Sequence, residues 1–83
     1  MITLENNNNS LDSILQDIKS KFQKGVYNFD VTKGNINYWC TDDKDKTVFF
    51  QKDQSYATIN ENNLKTEKFQ DILDSIEYQL DNT

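Results

Sequence analysis

Between residues 26 and 59 the chain carries four short β-type runs whose aromatic residues fall on both sides of one sheet. The runs are Val26–Val31, Asn35–Thr41, Thr47–Lys52 and Ser55–Ile59. Side chains alternate across a strand, so a run such as Tyr38-Trp39 or Phe49-Phe50 places a large ring on each face. Such a sheet has two apolar faces to cover. A chain of 83 residues builds one core, so the second face is an expected contact surface.

The registers can be tested against one another. A two-residue turn at Lys33-Gly34 pairs Val31 with Ile36, Phe29 with Tyr38 and Tyr27 with Cys40. A five-residue loop, Asp42–Lys46, pairs Tyr38 with Phe50 and Cys40 with Val48. A turn at Asp53-Gln54 pairs Phe50 with Ala57 and Val48 with Ile59. Two apolar rows result on one face, Tyr27–Cys40–Val48–Ile59 and Phe29–Tyr38–Phe50–Ala57. Moving the third strand by one residue breaks both rows. The opposite face then holds Trp39 directly across from Phe49, with Tyr56 on the diagonal, and this trio is expected to be exposed in a monomer.

Helical periodicity flanks the sheet. Leu11, Ile14, Leu15, Ile18 and Phe22 recur on one arc of about 100°. Asn9 or Ser10 is a suitable N-cap and Gly25 a suitable stop. A second helix is expected to begin between Asn62 and Thr66 and to run to about Leu80. Its stripe is Phe69, Ile72, Leu73, Ile76 and Leu80, and its opposite arc carries Glu67, Asp71, Asp74, Glu77 and Asp81 with Tyr78 among them. Residues 1–9 read as a flexible N-terminal tail and 10–83 as a single domain. The expected fold class is α+β, in the order α–β–β–β–β–α: a four-stranded antiparallel meander with both helices on one face. In a monomer, Ile2 and Leu4 of the tail are the candidates to cover Trp39.

Charge narrows the partners. The net charge is −5 and all nine basic residues are lysine, so the arginine forks that read phosphate and base edges are absent. Nucleic-acid binders display a basic stripe. The aromatic face here supplies Asp30 and no lysine, which argues against direct nucleic-acid binding. An acidic surface favours a basic partner. No apolar run approaches the roughly 20 residues of a membrane helix, and no secretory leader is evident. The single Cys40 excludes an internal disulfide and fits a reducing, cytoplasmic setting.

Catalysis finds little to work with. With no histidine, the commonest general base and metal ligand is missing. Cys40 has no such partner and falls in a core row. A calcium loop beginning at Asp43 needs glycine sixth and an acid twelfth, where Val48 and Gln54 stand, so Asp42–Lys46 reads as a solvated turn. No cofactor is implied and no enzyme is expected.

The expectation is therefore a small acidic protein-binding domain, using Trp39, Phe49 and Tyr56 with Glu67, Asp71, Asp74 and Tyr78. It would act by occluding a larger, basic, nucleic-acid-binding host protein. The absence of Arg, His and Pro and the abundance of Asn and Lys follow the codons of an AT-rich bacterium or phage. In size, charge and source bias alone, the chain is similar to phage inhibitors of host defence, the anti-CRISPR proteins among them. An immunity protein that neutralises a toxin has the same appearance in sequence. A homodimer joined back to back through Trp39 and Phe49, with a structural or regulatory role, is the alternative from a different class.

Overall fold

The computed structural model describes residues 6–81. Its elements are α1 (Asn6–Gln23), β1 (Asp30–Lys33), β2 (Ile36–Cys40), β3 (Val48–Lys52), β4 (Ser55–Ile59), α2 (Glu61–Thr66) and α3 (Phe69–Asp81). The strands form one antiparallel sheet in the order β1-β2-β3-β4, the expected α+β meander.

Helix α1 starts at Asn6, upstream of the predicted cap at Asn9 or Ser10. No Gly or Pro stops it there, and each Asn costs only up to about 0.7 kcal/mol relative to Ala. Of the predicted tail, Met1–Glu5 lie outside the described residues, and with them Ile2 and Leu4. The C-terminus of α1 is a Schellman motif. Gly25 takes φ +76°, Gly25 N–H donates to Phe22 O (3.1 Å) and Val26 N–H donates to Lys21 O (2.8 Å).

The β2–β3 and β3–β4 registers are as predicted, with Tyr38 opposite Phe50, Cys40 opposite Val48, Phe50 opposite Ala57 and Val48 opposite Ile59. The β1–β2 register is not. Val31 faces Tyr38 and Lys33 faces Ile36, a slide of two residues that moves the turn to Gly34-Asn35. The predicted turn would have placed Lys33 at a turn centre that favours positive φ. The observed one puts that conformation on Gly34 (φ +64°), where glycine adopts it without steric cost. An even slide preserves the faces, so Phe29 and Val31 still point inward. Tyr27 and Val26 leave the sheet. The Tyr27 ring meets Phe22 edge-on at 5.0 Å, and Val26 is exposed.

The single predicted C-terminal helix is two. α2 is held by a reciprocal Asn60/Asn63 capping box and ends at Glu67, whose backbone is extended (φ −106°, ψ 153°). A continuous helix would turn Leu64 about 140° away from the Phe69 stripe. The break lets Leu64 pack against the core.

That core lies between the inner sheet face and the helices. Ile14, Leu15 and Ile18 of α1, Ile72 and Ile76 of α3, and Tyr38, Val48 and Phe50 of the sheet are almost wholly buried. Helix α3 runs beside β4, where the Gln79 side-chain amide takes the outward backbone groups of Thr58: Thr58 N–H donates to Gln79 Oε1 (3.1 Å) and Gln79 Nε2 donates to Thr58 O (3.2 Å).

Candidate functional site

With α1 and α3 packed on the Tyr38/Phe50 face, alternation sends Trp39 and Phe49 to the other side of the sheet. The registers line up two rows there, Asp30–Trp39–Phe49–Thr58 and Thr32–Asn37–Gln51–Tyr56. Trp39 and Phe49 are directly opposed, as predicted, and their rings stack with centroids 5.6 Å apart and planes within 8°. The expectation that all three aromatics stand exposed is corrected. Each ring of the stack covers one side of the other and leaves both half-buried, and only Tyr56, at 51% exposure, is open.

The polar residues around the stack are tied together. Asn37 Nδ2 reaches Asp30 Oδ1 (2.8 Å), Val31 O (2.9 Å) and Thr32 Oγ1 (3.2 Å). Gln51 Nε2 donates to the Tyr56 hydroxyl at 3.1 Å. Asn37 therefore organises the rim, a role that sequence reading missed. An Asn inside a strand, where it is disfavoured, was the available signal.

The acidic half of the predicted site lies elsewhere. Asp71, Asp74 and Tyr78 are exposed on α3, on the arc opposite its buried stripe, and so point away from the core on the helical side of the molecule. Asp74 accepts from Gln70 Nε2 (2.9 Å). Glu67 is not on that helix at all. It sits in the α2–α3 break and accepts from Asn63 Nδ2 (2.8 Å). The aromatic and acidic halves are thus two surfaces, because one is sorted by strand alternation and the other by helical phase.

Two polar clusters brace the fold behind this face. The Tyr38 hydroxyl, on a fully buried ring, donates to Asp17 Oδ2 at 2.6 Å, and Lys21 Nζ reaches Asp17 Oδ1 at 2.9 Å. Burial works to raise the Asp17 pKa, but the hydrogen bonds from Tyr38 and Lys21 outweigh it and hold the carboxyl below its ordinary range. Burial and then Asp17 push the Tyr38 phenol far above its ordinary value. At the other end, Tyr27 Oη donates to Glu61 Oε2 (3.0 Å), and Lys46 lies over the Tyr27 ring while pairing with Asp42 at 2.7 Å.

Among the described residues, the groups singled out for chemistry are engaged in holding the fold. The Asp42–Lys46 turn spends Asp43 on the backbone amides of Asp45 (3.1 Å) and Lys46 (2.8 Å). Among the described residues, no group of three or more Cys, Asp or Glu is placed to hold a metal ion. Cys40 packs against the core, where burial and then Asp42 and Asp43 push its thiol up, away from the reactive thiolate. A groove of about 220 Å³ between α1 and α2 is lined by Lys19, Phe22, Gln23, Glu61, Leu64 and Lys65 and contains no nucleophile–base pair. No helix among the described residues is long and apolar enough to cross a membrane.

No family model matches the chain, and no curated protein or solved structure does.

Proposed function

We propose that this chain is a non-catalytic protein-binding domain that acts by occlusion, an inhibitor of a larger, basic partner that handles nucleic acid. The observation that carries the reading is the Trp39–Phe49 stack on the sheet face opposite the helices. Trp and Tyr are over-represented among the residues that dominate binding energy, and they do so at the centre of a patch surrounded by polar groups. A pair already stacked in the free protein loses little further freedom on binding. Asn37, Gln51, Tyr56 and Thr58 supply the polar surround.

Size limits what this face does alone. Four strands span about 19 Å, and five residues run about 16 Å, giving roughly 300 Å². A standard interface takes about 800 Å² from each partner, so the footprint extends past the sheet face. The α3 carboxylates, on their separate surface, fit long-range attraction of a basic partner and a faster encounter better than direct contact. A cytoplasmic setting belongs to the same reading, supported by the unbridged Cys40.

The test is quantitative capture of a partner from lysate of the source cell by the parent protein and by Trp39→Ala and Phe49→Ala. Each variant is expected to weaken capture about 30-fold, the effect of a 2 kcal/mol anchor. Asp71→Asn with Asp74→Asn is expected to slow association and flatten its salt dependence while leaving dissociation unchanged. Unaltered capture by folded Trp39→Ala and Phe49→Ala would overturn the reading. So would a stable homodimer that buries Trp39, which assigns the stack to self-association instead.

A further inference from the structure

We propose that the partner engages the domain by adding an extended segment as a fifth strand along the outer edge of β1, and that this segment alternates basic and apolar residues. The proposal rests on the protein-binding reading above and supplies the footprint which the sheet face lacks.

The two edges of the sheet differ. Along β4, Gln79 occupies the backbone groups of Thr58. Along β1, no described residue covers the outer groups in this way. Cys40 N–H donates to Phe29 O (3.1 Å), so Phe29 faces β2. By strand alternation Val31 and Lys33 face β2 as well, while Asp30 and Thr32 direct their N–H and C=O outward. Among the described residues nothing hydrogen-bonds those outward groups. Edge strands are ordinarily blunted by charged side chains that stand over the edge. Here both charges of β1 are drawn off it. Asp30 and Thr32 are held on the sheet face by Asn37, and Lys33 Nζ is held against Ser13 Oγ of α1 at 3.0 Å.

The side chains around the edge define the occupant. On the outer face Asp30 stands opposite Trp39, and among the described residues it has no ion pair. A lysine or arginine beside Asp30 on an added strand meets a carboxylate that no cation among the described residues neutralises and is directed toward the Trp39 ring, where cations bind favourably. The next residue of that strand falls on the inner face beside half-buried Val31, at the rim of the core, and suits an apolar side chain. A second copy of this chain fits less well. Any register that keeps the faces aligned sets Asp30 against Asn28, Asp30, Thr32 or Gly34 of the other copy, none of them a cation.

The probe is an acetylated, amidated heptapeptide of alternating lysine and valine. The control has the same composition arranged in a lysine block and a valine block. Hydrogen exchange and amide shifts are followed by NMR on the full chain. The alternating peptide is expected to slow exchange at Asp30 and Thr32 at least tenfold at saturation, and the block peptide is not. Thr32→Pro removes an outward N–H while sparing the ladder to β2, as edge prolines do. It is expected to keep the fold and to weaken the alternating peptide at least tenfold. Equal responses to both peptides, shifts confined to the Asp71 and Asp74 face, or full binding by folded Thr32→Pro overturn the proposal. Concentration-dependent protection of Asp30 and Thr32 without peptide also overturns it, by showing that a second copy takes the edge. If Trp39→Ala abolishes partner capture and Thr32→Pro does not, strand addition fails while the protein-binding reading stands.

Discussion

Replacing Tyr38 with phenylalanine removes one oxygen and leaves the packing of the central ring in place. Tyr38 is fully buried, and its hydroxyl donates to Asp17 Oδ2 at 2.6 Å, linking β2 to α1. A hydrogen bond to a charged group contributes about 1.5–3 kcal/mol. The Asp17 side chain keeps 29% exposure and pairs with Lys21, so water and the ammonium both compensate it and the lower end applies. Tyr38→Phe is therefore expected to cost about 1.5 kcal/mol, a fall in Tm of about 6–12 °C for a domain of this size. Thermal and urea unfolding by far-UV circular dichroism measure it.

The pH dependence has two limbs. The Asp17 pKa is lowered on folding, so its contribution is present above the ordinary carboxyl value of 3.8 and is lost as pH falls through the folded value. The parent should converge on Tyr38→Phe in strong acid. The Tyr38 pKa is raised on folding, so its contribution is complete below the ordinary phenol value of 10.0 and is lost as pH climbs above it. The phenylalanine variant lacks that alkaline loss. A cost below about 0.5 kcal/mol, the ordinary scatter of neutral substitutions, would refute the reasoning. So would an undiminished effect of Tyr38→Phe in an Asp17→Asn background, because the two residues are claimed to act as a pair.

Gln79→Ala removes both hydrogen bonds to Thr58 and is expected to cost about 1 kcal/mol, with faster amide exchange concentrated at Thr58. Unchanged exchange there would show that the edge is covered by something else. Cys40 in the folded protein is expected to react with iodoacetamide at pH 8 about tenfold more slowly than free cysteine, because the unreactive thiol form is favoured and the residue is half-buried. Equal rates in folded protein and free cysteine would contradict its placement.

Parts of this structure are written in local pattern. The registers of β2, β3 and β4 follow because only one alignment keeps Tyr38, Phe50 and Ala57 in one row and Cys40, Val48 and Ile59 in the next. The same alignment opposes Trp39 to Phe49. The β1 register was not legible by that test. A pattern of period two is unchanged by a slide of two, so the choice fell to the turn, and there to the residue best able to take positive φ, Gly34. The α2–α3 break left a trace in the phase of Leu64, which a single helix would have turned outward.

Sequence alone, then, determined the α+β class, the inner and outer faces of the sheet and the aromatic pair. These depend on residue type and on spacing along one element. Tertiary structure decided that Trp39 and Phe49 shield each other, that the α3 carboxylates occupy a different surface, and that Tyr38 finds Asp17. It also decided that Gln79 takes the outward backbone groups of Thr58 at one sheet edge while the charged side chains of β1 turn away from the other. Those outcomes depend on how elements lie across one another, and periodicity within an element carries no information about that.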